Sequence, residues 1–448
     1  MNVTVDSHPL TVLLARNRWT AVMFLKRVAD RHHARGDGAI ATRKEKVSRW
    51  ISGTVPEITV QLAMAEVFSV DLREVHHRGW PDWLLLAFSD DRTILESPWA
   101  PVGTVKALEN VGGPLDRRGF LIASTNTLAA MVAQWATAPS ATASTSGRRI
   151  GQQIVTLFDA RLDTLRRLDD QAGSNQAYDA ATVELRLITR TLRESSYTEN
   201  TGRSLYASAA EASRVAGWCA YDAGHNAAAE RHFVTAVRAA ASSGNDTVGA
   251  TVLAFWANLR YANGDSRGAL DLVNGALVSA RKISSPRVLA MLHARRARAH
   301  SKAGEAVAAY QAVDAALAAY DRAGPASDDL PAMYWVTAGE LHQVAASAAL
   351  SLGEPRRALD HFDAALSQDD PYDLNTEARG TSIYLARKVE AYLALGDIDA
   401  ALEAAYQVLD QMSGVESARA SNTLADLNAE LRNHQHIRAV QEFLGLTA

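Results

Sequence analysis

From about residue 150 onward, apolar side chains recur at intervals of three and four, the period of helices with one buried face. Five glycines punctuate this pattern: Gly224, Gly264, Gly304, Gly353 and Gly396, at separations of 40, 40, 49 and 43 residues. Five positions after each stands alanine (Ala229, Ala269, Ala309, Ala358, Ala401). Nine positions on come Phe233, Val273, Val313, Phe362 and Ala405, and twelve on come Ala236, Ala276, Ala316, Ala365 and Val408. These offsets differ by four and three, so they share one helical face. Small residues there let two helices approach closely, and glycine suits the tight turn that precedes them. The pattern predicts five helical hairpins. Ile150–Leu168 and Thr182–Arg193 read as an opening pair that caps the stack. At the far end, the helices around Ala420–Leu431 and Ile437–Leu446 carry Leu424, Leu427, Leu431, Val440 and Leu444, an apolar stripe expected to hold a homodimer together.

The first ninety residues have a different rhythm, with shorter helices. Leu10–Arg16 reads as a first helix. Thr20 caps a second, to about Arg31, whose face is Val22, Phe24, Leu25 and Val28. Residues 42–53 read as a short helix opened by a Thr42/Glu45 capping box, with Val47, Trp50 and Ile51 inward and Gly53 as its stop. Arg43, Lys44, Lys46, Ser48 and Arg49 fall off that stripe. A short helix with such a face suits the major groove of DNA, although a merely solvated basic face is the competing reading. A fourth helix takes Ile58, Leu62, Ala65 and Val67-Phe68, and a fifth turn Leu72 and Val75. The tryptophans of Gly79-Trp80-Pro81-Asp82-Trp83 are expected to pack on this unit or its neighbour. The pattern then weakens: Ser89–Pro114 reads as irregular, Leu115–Trp135 as one helix, and 136–147 as a flexible linker.

Charge sharpens the division. Residues 1–53 hold ten Lys and Arg against four Asp and Glu, a net +6, so the remainder carries −10 of the chain's −4. A basic end on an acidic protein matches the needs of polyanion binding. The lone Cys219 excludes an internal disulfide and a multi-cysteine zinc site, fits a cytoplasmic protein, and reads as a small buried side chain. No apolar run is suited to a bilayer. Asp116-Arg117-Arg118-Gly119-Phe120-Leu121 imitates a twin-arginine signal, but begins too far into the chain, so a helix is expected. His32-His33 and His76-His77 point apart on a helix and make poor joint ligands, so solvated or DNA-near roles are expected. Asp369-Asp370 before Pro371 reads as a turn. No catalytic constellation, metal site or cofactor motif emerges, and an enzyme is not expected.

Val47-Ser48-Arg49-Trp50, followed by Gly53 and Pro56 and then by Leu62-Ala63 and Val67-Phe68, resembles the DNA-binding domain of lambda-repressor-like (Xre) regulators. In that family the helix holding the Val-Ser-Arg-Trp segment is the recognition helix. Here Ile51 replaces the usual glutamate, and Arg35-Gly36-Asp37-Gly38 lies in an insertion between the second and third helices. The hairpins resemble tetratricopeptide repeats, at greater length. Ser196-Tyr197-Thr198-Glu199, Ala216-Gly217-Trp218, Asp222-Ala223-Gly224, the Gly79–Trp83 stretch and Asp116-Arg117-Arg118 resemble actinobacterial regulators that join the two parts. The resemblance implies an all-α protein: a helix-turn-helix domain (1–88), a connecting region (89–147) and a tetratricopeptide-like α-solenoid (148–448). It implies a regulator that binds double-stranded DNA as a homodimer. The alternative is a repeat scaffold for a protein partner, without DNA binding. The first helix of each hairpin should line a concave surface suited to an effector peptide or small molecule. Its candidate residues are Trp256, Asn258, Arg260, Tyr261, His293, Arg296, His300, Trp335, Glu340 and His342.

Overall fold

The computed structural model describes residues 8–111, 125–279, 282–368, 378–412 and 418–447, and its regular structure is almost wholly helical. Five short helices come first: α1 (Pro9–Arg16), α2 (Ala21–Ala34), α3 (Glu45–Ile51), α4 (Ile58–Val67) and α5 (Leu72–Arg78), then a 3-10 turn at Asp82–Ala87. The Thr20 hydroxyl accepts the Met23 N–H and opens α2 as expected. Leu10, Leu13, Phe24, Leu25, Val28, Val47, Trp50, Met64, Phe68 and Trp83 meet in one core. The Trp83 indole N–H donates to Gln61 Oε1 at 3.0 Å, and Gln61 in turn donates to the Pro56 carbonyl. A large buried aromatic is thereby placed without leaving its polar atom unmet.

Three expectations for this unit fail on helical phase or local chemistry. Val22 and Ile58 are exposed. Each lies two residues, about 200° around the axis, before the true inward positions Phe24 and Val60. Thr42 does not cap α3, whose N-cap is Lys44 with no side-chain hydrogen bond. His32 is buried rather than solvated: its Nδ1 lies 2.9 Å from the Gly38 carbonyl and its Nε2 3.2 Å from Thr59 Oγ1, while His33 is exposed. It pins the insertion between α2 and α3, as does Arg35, paired with Asp37 and Glu66.

The connecting region also departs from expectation. It holds α6 (Ser89–Glu96) and α7 (Pro101–Val111) within the stretch 89–114 expected to be irregular, while α8 (Thr125–Thr137) falls largely within the helix expected over Leu115–Trp135. The twin-arginine-like segment lies outside the described residues, as do the start of the helix predicted from Leu115 and the Asp369-Asp370-Pro371 turn. Residues 138–147 form no free linker. The Ala141 N–H donates to the Ser242 carbonyl, Ser144 and Tyr197 exchange both backbone hydrogen bonds, and Arg203 donates to Ser140 Oγ. Gly147 passes the Glu194 carbonyl so closely that a Cβ would lie 1.9 Å from its oxygen. The strap leads into a two-residue parallel pairing of β1 (Arg148–Arg149) with β2 (Ser195–Ser196).

The rest is hairpins: α9 (Gln152–Ala172) with α10 (Ser174–Glu194), α11 (Glu199–Asp222) with α12 (Asn226–Ser243), α13 (Asp246–Ala262) with α14 (Ser266–Val278), and α15 (Pro286–Lys302) with α16 (Ala306–Tyr320). They continue with α17 (Ala338–Ser351) and α18 (Pro355–Leu366), α19 (Ala378–Leu395) and α20 (Ile398–Met412), and α21 (Ala418–Leu431) with α22 (Arg438–Leu446). Thus α10 begins well before its expected start at Thr182. All five marker glycines have positive φ, from +76° to +83°. The residue after each returns its N–H five positions back, as in Asp265 to Arg260 and Glu305 to His300, both 3.0 Å. The alanines five positions on are fully buried, and every residue at offsets nine and twelve is buried too. The first helices of successive pairs, from α9 to α21, touch in sequence, while α6, α7 and α8 lie on the second helices α10, α12 and α14.

The terminal stripe serves the chain itself. Leu427, Leu431 and Val440 are buried in a core with Ala405, Val408 and Phe443. Those three leucine and valine side chains are therefore not available to a second subunit.

Candidate nucleic-acid interface and concave cavity

Helix α3 is short, and its two faces differ in chemistry. Val47 and Trp50 are buried and Ile51 is half-buried, which fixes the helix against the first core. Gly53 ends it at φ +102°, with the Thr54 N–H returning to the Arg49 carbonyl at 2.9 Å. Arg43, Lys44, Ser48 and Arg49 are exposed and Lys46 partly so. None of these four cations joins an ion pair among the described residues, although Arg35 close by is paired twice. Their charge is therefore not cancelled by neighbours on the protein. All five predicted residues sit on or just before one helix, off its buried stripe.

The second feature is a cavity of about 580 Å³ inside the curve of the first helices. Its lining obeys the glycine markers counted backward. Nine positions before them stand Val215, Phe255, Arg295, Val344 and Arg387, and all five line it. Six positions before the first four stand Trp218, Asn258, Arg298 and Ser347, which line it too. An aromatic wall runs through this face. Trp218 meets Phe255 edge-to-face at 5.2 Å, Phe255 meets Trp335 at 5.8 Å, and the Arg214 guanidinium lies 4.2 Å over the Phe255 ring. Arg295 lies over Trp335 and Arg298 over Tyr261.

Of the residues expected at a concave site, Asn258, Tyr261, Trp335 and Glu340 line the cavity. The others do not. Trp256 is fully buried, its indole N–H donating to Glu230 at 3.0 Å, and Arg260 bridges Glu230 and Asp265. His300 pairs with Glu305, and His342 lies against His361 with Nδ1 atoms 3.1 Å apart. His293 and Arg296 also point elsewhere: on α15 the lining residues are Arg295, Arg298 and Lys302. They repeat the i, i+3, i+7 spacing of His293, Arg296 and His300 two residues later, about 200° around the helix. Trp335 precedes α17 rather than lying on it. The signal missed in sequence was the backward offset from the glycines, which fixes the phase of the five first helices that precede them, α11, α13, α15, α17 and α19.

Burial shapes the electrostatics. Arg166 and Arg214 both bind Glu211, whose carboxyl is held down at about 2 because the two guanidiniums outweigh its burial. Asp170 accepts from the Tyr334 hydroxyl, and Glu340 from Tyr384 at 2.6 Å. Burial lowers Arg298 to about 10, with Arg387 adding to the effect, and lowers Lys302 with help from both arginines. Cys219 is buried, its Sγ 3.6 Å from Asp169 Oδ1. Among the described residues no group of His, Cys, Asp and Glu has the arrangement of a metal site, and no helix is long and apolar enough to cross a membrane.

No protein-family profile matches this chain, and no curated protein matches it either.

Proposed function

We propose that the protein is a DNA-binding transcription regulator, with α3 as its recognition helix and the hairpin array as a tetratricopeptide-like effector domain. The observation that carries this reading is the cation row Arg43, Lys44, Lys46 and Arg49, in no ion pair among the described residues, set on or just before a helix whose other face is fixed by Val47 and Trp50. The +6 charge of the first 53 residues and the resemblance to Xre-type regulators point the same way. Side chains on such a helix would meet base edges, while neighbouring cations would neutralise phosphates. Two copies pairing on a two-fold site would supply the area that one such unit lacks. Their contact would lie outside the Leu427, Leu431 and Val440 stripe.

Salt dependence tests this reading against the scaffold alternative. With several phosphate contacts, log Kd for duplex DNA should rise steeply and linearly with log salt, each contact adding a slope of about 0.9. A flat dependence, or no binding at low salt, would leave a repeat scaffold as the better reading.

A further inference from the structure

The arginines of the array fall into two groups. Arg166, Arg214, Arg260 and Arg287 are buried and each contacts a carboxylate. Arg295 and Arg298 are as deeply buried, yet bind only neutral groups: Tyr261 Oη for the first, and Ser301, Ser347 and Ser351 oxygens for the second. Lys302, which is exposed, and Arg387, which is half-buried, line the same cavity, again with no ion pair among the described residues. Glu340, held by Tyr384, and Glu390 lie close enough for their fields to reach this group, and Asp426 also lines the cavity; none of the three forms a salt bridge with it among the described residues. Across the whole lining six cations (Arg166, Arg214, Arg295, Arg298, Lys302 and Arg387) face four acids (Asp169, Asp170, Glu340 and Asp426), so positive charge is in excess in a partly desolvated hollow. Burying a cation is costly without a counter-charge, so the arrangement favours an anion from outside. The Nε of Arg295 is buried with no hydrogen-bond partner. Beside the cations stands the Phe255–Trp335 wall, which suits a flat apolar group.

We propose that this cavity binds a small organic anion. Its carboxylate or phosphate would sit among Arg298, Lys302 and Arg387, and its planar body would lie against Phe255 and Trp335. A volume of about 580 Å³ lies within the usual range of small-molecule sites. The proposal takes the cavity as the effector site of the regulator, but binding is read on the protein alone, so DNA recognition and ligand recognition fail separately.

The test is calorimetric titration of the full chain with two matched pairs: indole-3-acetate against indole-3-acetamide, and 1-naphthyl phosphate against 1-naphthol. At least one anion should bind with Kd below about 1 mM, and its neutral counterpart at least ~10-fold more weakly. The pair that shows the difference tells carboxylate from phosphate. Arg387→Met should weaken the anion about 10-fold with an unchanged melting curve, since Arg387 joins no ion pair among the described residues. Lys302→Met is the second variant should the first unfold. Equal binding of neutral and charged partners, no binding of either anion, or full affinity in a folded variant overturns the proposal.

Discussion

Single residues divide into those that hold the fold and those left free to act. Trp50 is 6% exposed and Arg49 beside it is exposed, so adjacent substitutions should have opposite consequences. Trp50→Ala should cost about 3–5 kcal/mol and melt the first unit, read by thermal denaturation. His232 offers a second test at this scale. It is fully buried between Tyr178 and Ser213, and desolvation, with Arg231 adding to it, lowers its pKa to about 3. The folded state thus holds the ring neutral where the unfolded chain, near 6.5, takes up a proton. Its contribution is fully present above pH 6.5 and is lost as pH falls from there toward 3, by on the order of 1 kcal/mol per unit. His232→Gln should flatten that part of the stability–pH curve, measured by urea denaturation between pH 4 and 7. Equal slopes for the two proteins would show that His232 is not held neutral.

At the scale of elements, much was legible because one face repeats. Counting forward from the glycines found the packing of the second helix in the five hairpins they mark, since alanine at offset five is needed wherever two helices cross closely. The lining of the cavity was equally periodic, but on the other side of the turn, and choosing polar residues by chemistry rather than phase selected His293, Arg296 and His300 on the wrong side of α15. Docking of α8 was less legible. Gly249, Gly268 and Gly275 lie within helices α13 and α14. In the structure they are seats for Trp135, Leu128 and Val132, to which a Cβ at each would come within 2.1, 2.8 and 2.3 Å. Gly275→Leu should therefore displace α8, seen as faster amide exchange over 125–137 with the hairpin glycine turns still protected. Undiminished protection would mean that α8 is held elsewhere.

At the scale of the molecule, the connecting region belongs to the array rather than hanging between two parts. The 3-10 turn at Asp82–Ala87 marks the seam: Leu84 and Leu86 enter the first core and Leu85 the second. Beyond it Asp91 pairs with Arg231 at 2.5 Å, Thr104 bonds Ser242 at 2.8 Å, and Arg238 donates to the Ser97 carbonyl. Sequence composition could not reveal this, because Thr, Ser, Gly and Ala read the same whether solvated or bonded to a neighbouring helix. A fragment 89–448 should fold cooperatively. A fragment 148–448, stripped of Leu108, Leu128, Met131 and Trp135, bares the apolar surface they cover and should melt well below the longer one or aggregate. Equal melting temperatures would contradict the packing of α6 to α8.

The central claim is that α3 reads DNA, and the most direct measurement is fluorescence-anisotropy titration of the duplex upstream of the protein's own gene with the full chain and its Arg49→Ala variant. The expected result is tight binding by the native chain, weakened at least ~10-fold by Arg49→Ala, a loss of about 1.4 kcal/mol or more, at an unchanged melting temperature. Equal affinity of the two folded proteins for that duplex would contradict it.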